Sequence, residues 1–124
     1  MGKLLWLAIA GAAGTLARYG AVVAFARYAP SGFPWGVFAV NIAGSLLFGI
    51  IWVMGEERGF ISPNARLIAL TGFMGAFTTF STFAFDNVQL ARGGSWLYVA
   101  GNLILRNAAG VLAVLAGFRL GRTF

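Results

Sequence analysis

The chain has 124 residues, of which 60% are apolar and only 10% are charged, and it contains no histidine and no cysteine. Soluble domains carry about 25% charged residues, so this composition excludes an ordinary soluble enzyme, a disordered tail and a nucleic-acid-binding domain. The net charge of +6 reflects nine basic residues against three acidic ones, without a basic run that could bind phosphate. With no imidazole, no thiol and three carboxylates, the sequence predicts no catalytic residue and no transition-metal site.

Hydropathy predicts one all-α integral membrane domain over residues 1–124. About 20 apolar residues of helix cross a bilayer core, and four segments are long enough, at residues 4–26, 35–54, 66–90 and 96–120. Glycine, proline and serine cluster between the segments, as in loops. The first segment has a secretory signal peptide as its alternative, but its apolar pattern resumes after Arg18, which favours a membrane helix.

The orientation in the membrane is weakly specified. Four crossings put both termini and the middle loop on one side, which then holds five basic residues against three on the other. Because loop Lys and Arg set topology, so small a bias permits insertion both ways up and predicts a dimer of oppositely oriented copies. One fixed orientation in a parallel assembly is the alternative. The five are Lys3, Arg58, Arg66, Arg119 and Arg122, and the three are Arg18, Arg27 and Arg92.

Small residues recur at intervals of four along three of the segments. In lipid, such spacing lets helix backbones approach closely and gain dispersion contacts. The pattern therefore predicts tight helix packing, and it is a weaker indication of one particular dimer face. The residues are Ala10 and Gly14 in the first segment, Ser45 and Gly49 in the second, and Ala109, Ala113, Gly117 and Gly121 in the last.

The third segment departs from a plain apolar helix at residues 71–83, which contain two glycines, five hydroxyl side chains and four phenylalanines. Glycine and threonine are mediocre helix formers, and hydroxyls compete for backbone hydrogen bonds. We therefore expect a helix broken at mid-membrane, between Gly75 and Thr79. A break frees carbonyls that can hold a hard cation, and N–H groups that can attract an anion.

Two features near this break suggest an anion path. Phe80 and Phe83 are three residues apart and share a helix face, and the positive edges of their rings could contact a small anion. Packed or lipid-facing rings are the alternative. Asn41 lies in an apolar helix, followed at helical spacing by Ser45 and Phe48, and its amide could donate to an anion or bridge two helices.

Two arginines lie inside the predicted crossings. A charge at the membrane centre costs about 2.5–3.5 kcal/mol on insertion scales. Arg18 is close enough to its helix end to reach the interface, and we expect Arg18 and Asp86 to lie with Arg106 at a vestibule. Arg106, with Asn102 and Asn107 beside it, is expected to face a water-filled vestibule that concentrates anions. An ion pair with Asp86 is the alternative for Arg106.

Taken together, these residues resemble the Fluc-type fluoride channel family over essentially the whole chain. The third-segment motif is the specific part of the resemblance, whereas the first-segment match is weak. The motifs are Gly14 with Arg18, Val40-Asn41 with Gly44, Gly72-Phe73-Met74-Gly75, and Thr78-Thr79-Phe80-Ser81-Thr82-Phe83.

The resemblance implies an antiparallel, dual-topology homodimer in the bacterial inner membrane. Two pores would export, passively, fluoride that entered the cytoplasm as HF. It implies a structural sodium ion at the dimer centre, held by backbone carbonyls at the positions of Gly75 and Thr78. It assigns Phe80, Phe83 and Asn41 to the anion path.

The resemblance also places Ser81 and Thr82 beside that path. Members often have a glutamate at a pore mouth where this chain has Asp86. They often carry hydroxyls on the last helix where this chain has Gly110 and Val114. These departures leave the exit path along the last helix open.

Two rival functions remain. A small multidrug-type exporter has a similar size and dual topology, but that class needs a membrane-embedded glutamate in its first helix. Here the ionisable residue within that helix is Arg18. The other rival is an accessory subunit that packs against a larger complex and transports nothing by itself.

Overall fold

The computed structural model describes the whole chain from Met1 to Phe124, and it is helical without strands. Four spans are long and apolar enough to cross a membrane, at Gly2–Tyr28, Trp35–Glu57, Pro63–Arg92 and Trp96–Thr123. They confirm the four predicted crossings, extending each by a few residues. The helices are α1 (Gly2–Tyr28), α2 (Trp35–Trp52), α3 (Pro63–Leu67), α4 (Gly75–Phe77), α5 (Phe80–Arg92) and α6 (Trp96–Thr123).

Two π-helical segments complete the second and third crossings. Val53–Glu57 continues α2, and Ile68–Met74 joins α3 to α4. The third crossing starts with a side-chain cap, because the Ser62 hydroxyl accepts a hydrogen bond from the N–H of Ala65 at 3.2 Å. Its first half is thus one continuous helical rod from residue 63 to residue 77.

The closest packing joins α2 to α6, along the predicted stripes of small residues. A Cβ atom added at Gly117 would lie 2.3 Å from the Leu46 carbonyl oxygen and 3.0 Å from the Gly49 Cα. One added at Gly49 would lie 2.5 Å from the Val114 carbonyl oxygen. The two backbones are therefore in direct contact, which confirms that small residues here serve helix packing.

Helix α1 packs in the same way on the first half of the third crossing. A Cβ at Gly14 would lie 2.3 Å from the Phe73 carbonyl oxygen, and one at Gly72 would lie 2.9 Å from the Ala10 Cβ. Most of the remaining surface of α1 is exposed. The first crossing thus supports the third from one side and leaves its outer face to lipid.

Charged side chains gather at one end of the bundle. Arg122 donates two hydrogen bonds of 2.8 Å to the carboxylate of Glu57, and Arg66 pairs with Glu56. The Arg58 side chain donates to the Arg122 carbonyl oxygen at 2.6 Å. These contacts join the connection between the second and third crossings to the end of α6, as expected when the middle loop and the C-terminus share one side.

Candidate functional site

The helix of the third crossing is interrupted at Thr78 and Thr79. Both have extended backbone, with φ −88° and ψ 159° at Thr78 and φ −153° and ψ 126° at Thr79. The Thr78 hydroxyl donates to the Met74 carbonyl at 2.9 Å and ends the first half. The Thr79 hydroxyl accepts from the Thr82 N–H at 3.3 Å and caps α5. One crossing therefore contains two helices joined by two extended residues.

Asn41 on α2 holds the interruption in place. Its Oδ1 accepts a hydrogen bond from the Thr79 N–H at 3.0 Å, and its Nδ2 donates to the Thr79 carbonyl oxygen at 3.2 Å. The amide thus pairs both polar backbone groups of the residue at the break. The sequence left two roles open for the Asn41 amide, donation to an anion or a bridge between two helices. This contact is the bridge. One N–H of the side chain is not used by this pair.

The hydrogen bonds at the break release two particular carbonyl groups. In an unbroken α-helix the Thr79 N–H would bond to the Gly75 carbonyl, but it bonds to Asn41. The Thr82 N–H would bond to the Thr78 carbonyl, but it bonds to the Thr79 hydroxyl. The carbonyls of Gly75 and Thr78 therefore lose their usual donors. Free carbonyl oxygens suit a hard cation, so these residues fit the sodium site that the resemblance implies.

A groove of about 490 Å³ lies beside the break, between α2, α5 and α6. It brings together Asn41, Phe80, Phe83 and Arg106, which are distant in the sequence. The two rings have centroids 5.7 Å apart and planes tilted by 60°. Phe83 is 8% exposed and Phe80 is 78% exposed. One ring is thus fixed by packing, while the other is open at the surface of a single chain.

Arg106 lies at the back of this groove and is only 6% exposed. Its Cζ is 4.7 Å from the centre of the Phe83 ring and 5.8 Å from that of Phe38. The ion pair with Asp86 that the sequence left open does not form, because Arg106 has no carboxylate within 4 Å and no hydrogen-bond partner. In a single chain, Arg106 therefore lies beneath two rings and lines the groove, and its place in a water-filled vestibule stays a prediction. The sequence analysis did not single out Phe38, although its position three residues before Asn41 was the feature that could have indicated it.

A chain of amides ties α5 to α6 behind Phe83. Asn102 is fully buried and donates to the Asn87 Oδ1 at 2.9 Å, and Asn87 donates to the Phe83 carbonyl at 3.0 Å. Asn87 was not singled out from the sequence, although an asparagine four residues after Phe83 is the spacing for this contact. The chain of amides fixes the α5 helix, and with it the Phe83 ring, against α6.

The other residues singled out from the sequence divide between the groove and other parts of the bundle. Thr82 and Asp86 line a second cavity of about 470 Å³, which shares no lining residue with the groove. Ser81 is exposed, and its Oγ lies 3.3 Å from the Thr79 Oγ1. Arg18 is half-buried on α1 and lines neither cavity. Gly110 and Val114 do line the groove, so its α6 wall carries no hydroxyl at these two positions.

These spans, the interrupted third crossing and the polar groove define a multi-pass helical membrane protein. Comparison with known families identifies it more closely. The family described as CrcB-like protein, Camphor Resistance (CrcB), matches residues 5–118. The chain therefore belongs to the CrcB-like family.

Named relatives resemble the chain over nearly its full length. A protein of Nitrosococcus oceani named fluoride-specific ion channel FluC is 48% identical over 120 residues, which are 97% of this chain and 96% of the relative. Proteins with the same name from Solidesulfovibrio magneticus and Nitratidesulfovibrio vulgaris are 47% and 45% identical. Those two alignments cover 97% and 98% of this chain, and 96% and 98% of the relatives.

Proposed function

We propose that the chain forms a fluoride-selective, passive ion channel in the bacterial inner membrane, which exports fluoride from the cytoplasm. The observation that carries the proposal is the groove, in which Phe80 and Phe83 lie beside a helix break held by Asn41. Relatives named fluoride-specific ion channel, at 45–48% identity over nearly the whole chain, support the same conclusion.

The chemistry of the groove suits a small, strongly hydrated anion. Hydrogen-bond donors in a narrow path must replace the water that such an ion loses, yet they must not bind the ion so tightly that it cannot leave. Ring edges and amide N–H groups offer partial positive charge of this kind. No carboxylate lines the groove, so it offers no acid for coupling to protons. This favours a channel over a proton-coupled exporter.

The interruption at Thr78 and Thr79 belongs near the middle of the membrane in this proposal. Fifteen residues of the span precede it, in segments of 5, 7 and 3, and 13 residues of α5 follow it. Because the two halves are nearly equal, an upright span places the break close to its midpoint. Non-helical backbone is tolerated at that depth when it is paired within protein or lines a water-filled cavity. Asn41 provides the pairing and the groove provides the cavity.

Two chains in opposite orientations would form the channel, with two pores. Both Phe80 and Gly75 are exposed in a single chain, so these positions are available to a second copy. A tag added after Phe124 tests the orientation. In sealed vesicles from cells, about half of the tags should be accessible from outside and the rest only after lysis, because the basic bias is small. Complete accessibility from one side alone would contradict the antiparallel arrangement.

A sodium ion is proposed at the contact between the two chains, held by the carbonyls of Gly75 and Thr78. When bound, it would supply a positive charge that offsets the repulsion between the partially negative carbonyl oxygens of these residues. Replacing sodium by N-methylglucamine in all buffers should lower the thermal unfolding midpoint of the purified dimer, since the bound ion stabilises the folded state. An unchanged midpoint would count against the site.

The function is tested with purified protein in liposomes loaded with potassium fluoride. When valinomycin carries the counter-charge, a fluoride electrode should record rapid efflux, and liposomes loaded with chloride should release little. Protein-free liposomes set the background. An accessory subunit would release no fluoride, and a proton-coupled exporter would require a pH gradient for release. Either result would reject the channel.

A further inference from the structure

Arg106 is a buried charge whose hydrogen-bonding groups have no partner in the protein. The side chain is 94% buried, and its Nε, Nη1 and Nη2 atoms all lack an acceptor. A guanidinium is charged at any physiological pH and has five N–H donors in its plane. The Cζ atom lies over the rings of Phe83 and Phe38, but a ring face accepts no in-plane hydrogen bond, so the N–H donors stay unpaired. Burial without compensation would be strongly destabilising.

No charged group of the chain provides the missing acceptor. Asp86 is near enough to attract the guanidinium by charge, and its own Oδ2 is also buried without a partner, but it makes no ion pair with Arg106 within 4 Å and lines the second cavity. Asn102 lies one turn away with an unpaired Oδ1, and that oxygen is neutral and can meet only one of the donors. Among the residues that line the groove, Arg106 is the only charged one. The guanidinium thus faces a groove with room for an anion, and no carboxylate of the chain lines that groove.

We propose that Arg106 and the Phe83 ring form an anion-binding site within the groove, which takes a small monovalent anion. If the proposed function holds, that anion is fluoride in transit. The site departs from a purely neutral path because it contains a full positive charge. The guanidinium donates in-plane N–H bonds to the anion, and such charge-assisted bonds are shorter and stronger than neutral ones.

The stacking on Phe83 gives the site a second contribution. A cation over the face of a ring is attracted by the negative face of its quadrupole, and it draws electron density toward itself. The hydrogens at the ring edge then become more positive and attract an anion more strongly. Arg106 therefore acts on the anion directly and also through the ring. Its charge is shared with two aromatic faces, which keeps the anion able to leave.

Fluoride efflux from liposomes, measured at a series of internal fluoride concentrations, tests the site. Arg106→Gln removes the charge and keeps an amide, so the concentration for half-maximal efflux should rise by at least about tenfold, because the charge-assisted hydrogen bonds to the anion are lost. Arg106→Lys keeps the charge, so its concentration for half-maximal efflux should lie between those of Arg106→Gln and the unmodified protein. Arg119→Gln removes an exposed arginine of the same helix and should match the unmodified chain. Equal half-saturation in Arg106→Gln and the unmodified protein would overturn the proposal.

A binding measurement separates this site from the channel function and does not depend on variants that fold. In the full-length protein labelled with ¹⁵N-arginine, the Nε–H resonance of Arg106 is identified by its contacts to the ring protons of Phe83 and Phe38. Sodium fluoride should shift it saturably, and sodium gluconate should not. A shift without liposome efflux would support the site and reject the channel. Efflux without a shift would support the channel and reject the site, because water or a second chain then satisfies the guanidinium.

Discussion

Fluoride efflux should fall by at least about tenfold when Phe80 is replaced by isoleucine, because a contact of about 1.4 kcal/mol in the transition state for passage corresponds to a factor of ten in rate. Isoleucine keeps an apolar side chain at this position. It has no aromatic quadrupole, so it cannot offer a positive edge to an anion. Phe80 is 78% exposed in the single chain, so the substitution leaves no large cavity in the protein. The loss should therefore appear in transport and not in folding, as measured by efflux and by thermal unfolding of the same preparations.

Phe85→Ile is the matched control. Phe85 lies on the same helix, is 61% exposed and lines neither the groove nor the second cavity. The Phe85→Ile substitution makes the same chemical change at a position that we expect to face lipid, so efflux should remain near that of the unmodified protein. Equal efflux from Phe80→Ile and Phe85→Ile would mean that the Phe80 ring takes no part in the path. The alternative of a lipid-facing Phe80 would then be correct.

Replacing Asn41 by leucine should reduce both stability and transport. The Thr79 N–H and carbonyl would each lose their hydrogen bond to the amide. Leaving a half-buried polar group unpaired costs up to about 1–3 kcal/mol. The unfolding midpoint in detergent should therefore fall. Efflux should fall with it, because the break would no longer hold Phe80 at the groove.

Two further variants separate these effects. Gln89→Leu removes an amide from an exposed position of α5 that does not pair with the break, and it should change neither property. Asn41→Asp keeps an acceptor for the Thr79 N–H but brings negative charge into the groove. It should retain more stability than Asn41→Leu and still fail to conduct fluoride. If Asn41→Leu were as stable and as active as Gln89→Leu, the bridge at Thr79 would have no energetic importance.

The tertiary structure also explains why Asn41 and Thr79 matter together. Asn41 and Thr79 are 38 residues apart in sequence, and only the packing of α2 against the third crossing brings them into contact. Gly44 permits that approach, since a Cβ there would lie 2.2 Å from the Thr78 Cγ2. Composition alone could suggest a weak helix in residues 71–83. It could not identify which residues would pair the freed backbone groups, because backbone donors and acceptors are the same in every residue type.

Several site residues were separated by the fold in ways that the sequence does not specify. Ser81, Thr82 and Asp86 follow Phe80 closely along the chain, yet Thr82 and Asp86 line the second cavity. Successive residues of a helix point in different directions, so neighbours in sequence divide between its faces. The sequence predicts from its charge that Arg106 faces a water-filled vestibule, and the residue does line the groove. Its burial under Phe83 depends on the register between α5 and α6, which hydropathy does not encode.

By itself, the sequence determined the class of protein, the four crossings, the small-residue contacts between helices and the position of the weak helix. These properties depend on the composition of each segment and on spacing within it, and both can be read without knowing which segments touch. Only the tertiary structure decided that Asn41 pairs with Thr79, that the Gly75 and Thr78 carbonyls lose their donors, and that Arg106 lies unpaired beneath Phe83. Each of these depends on contacts between segments far apart in the chain, and packing geometry sets those contacts.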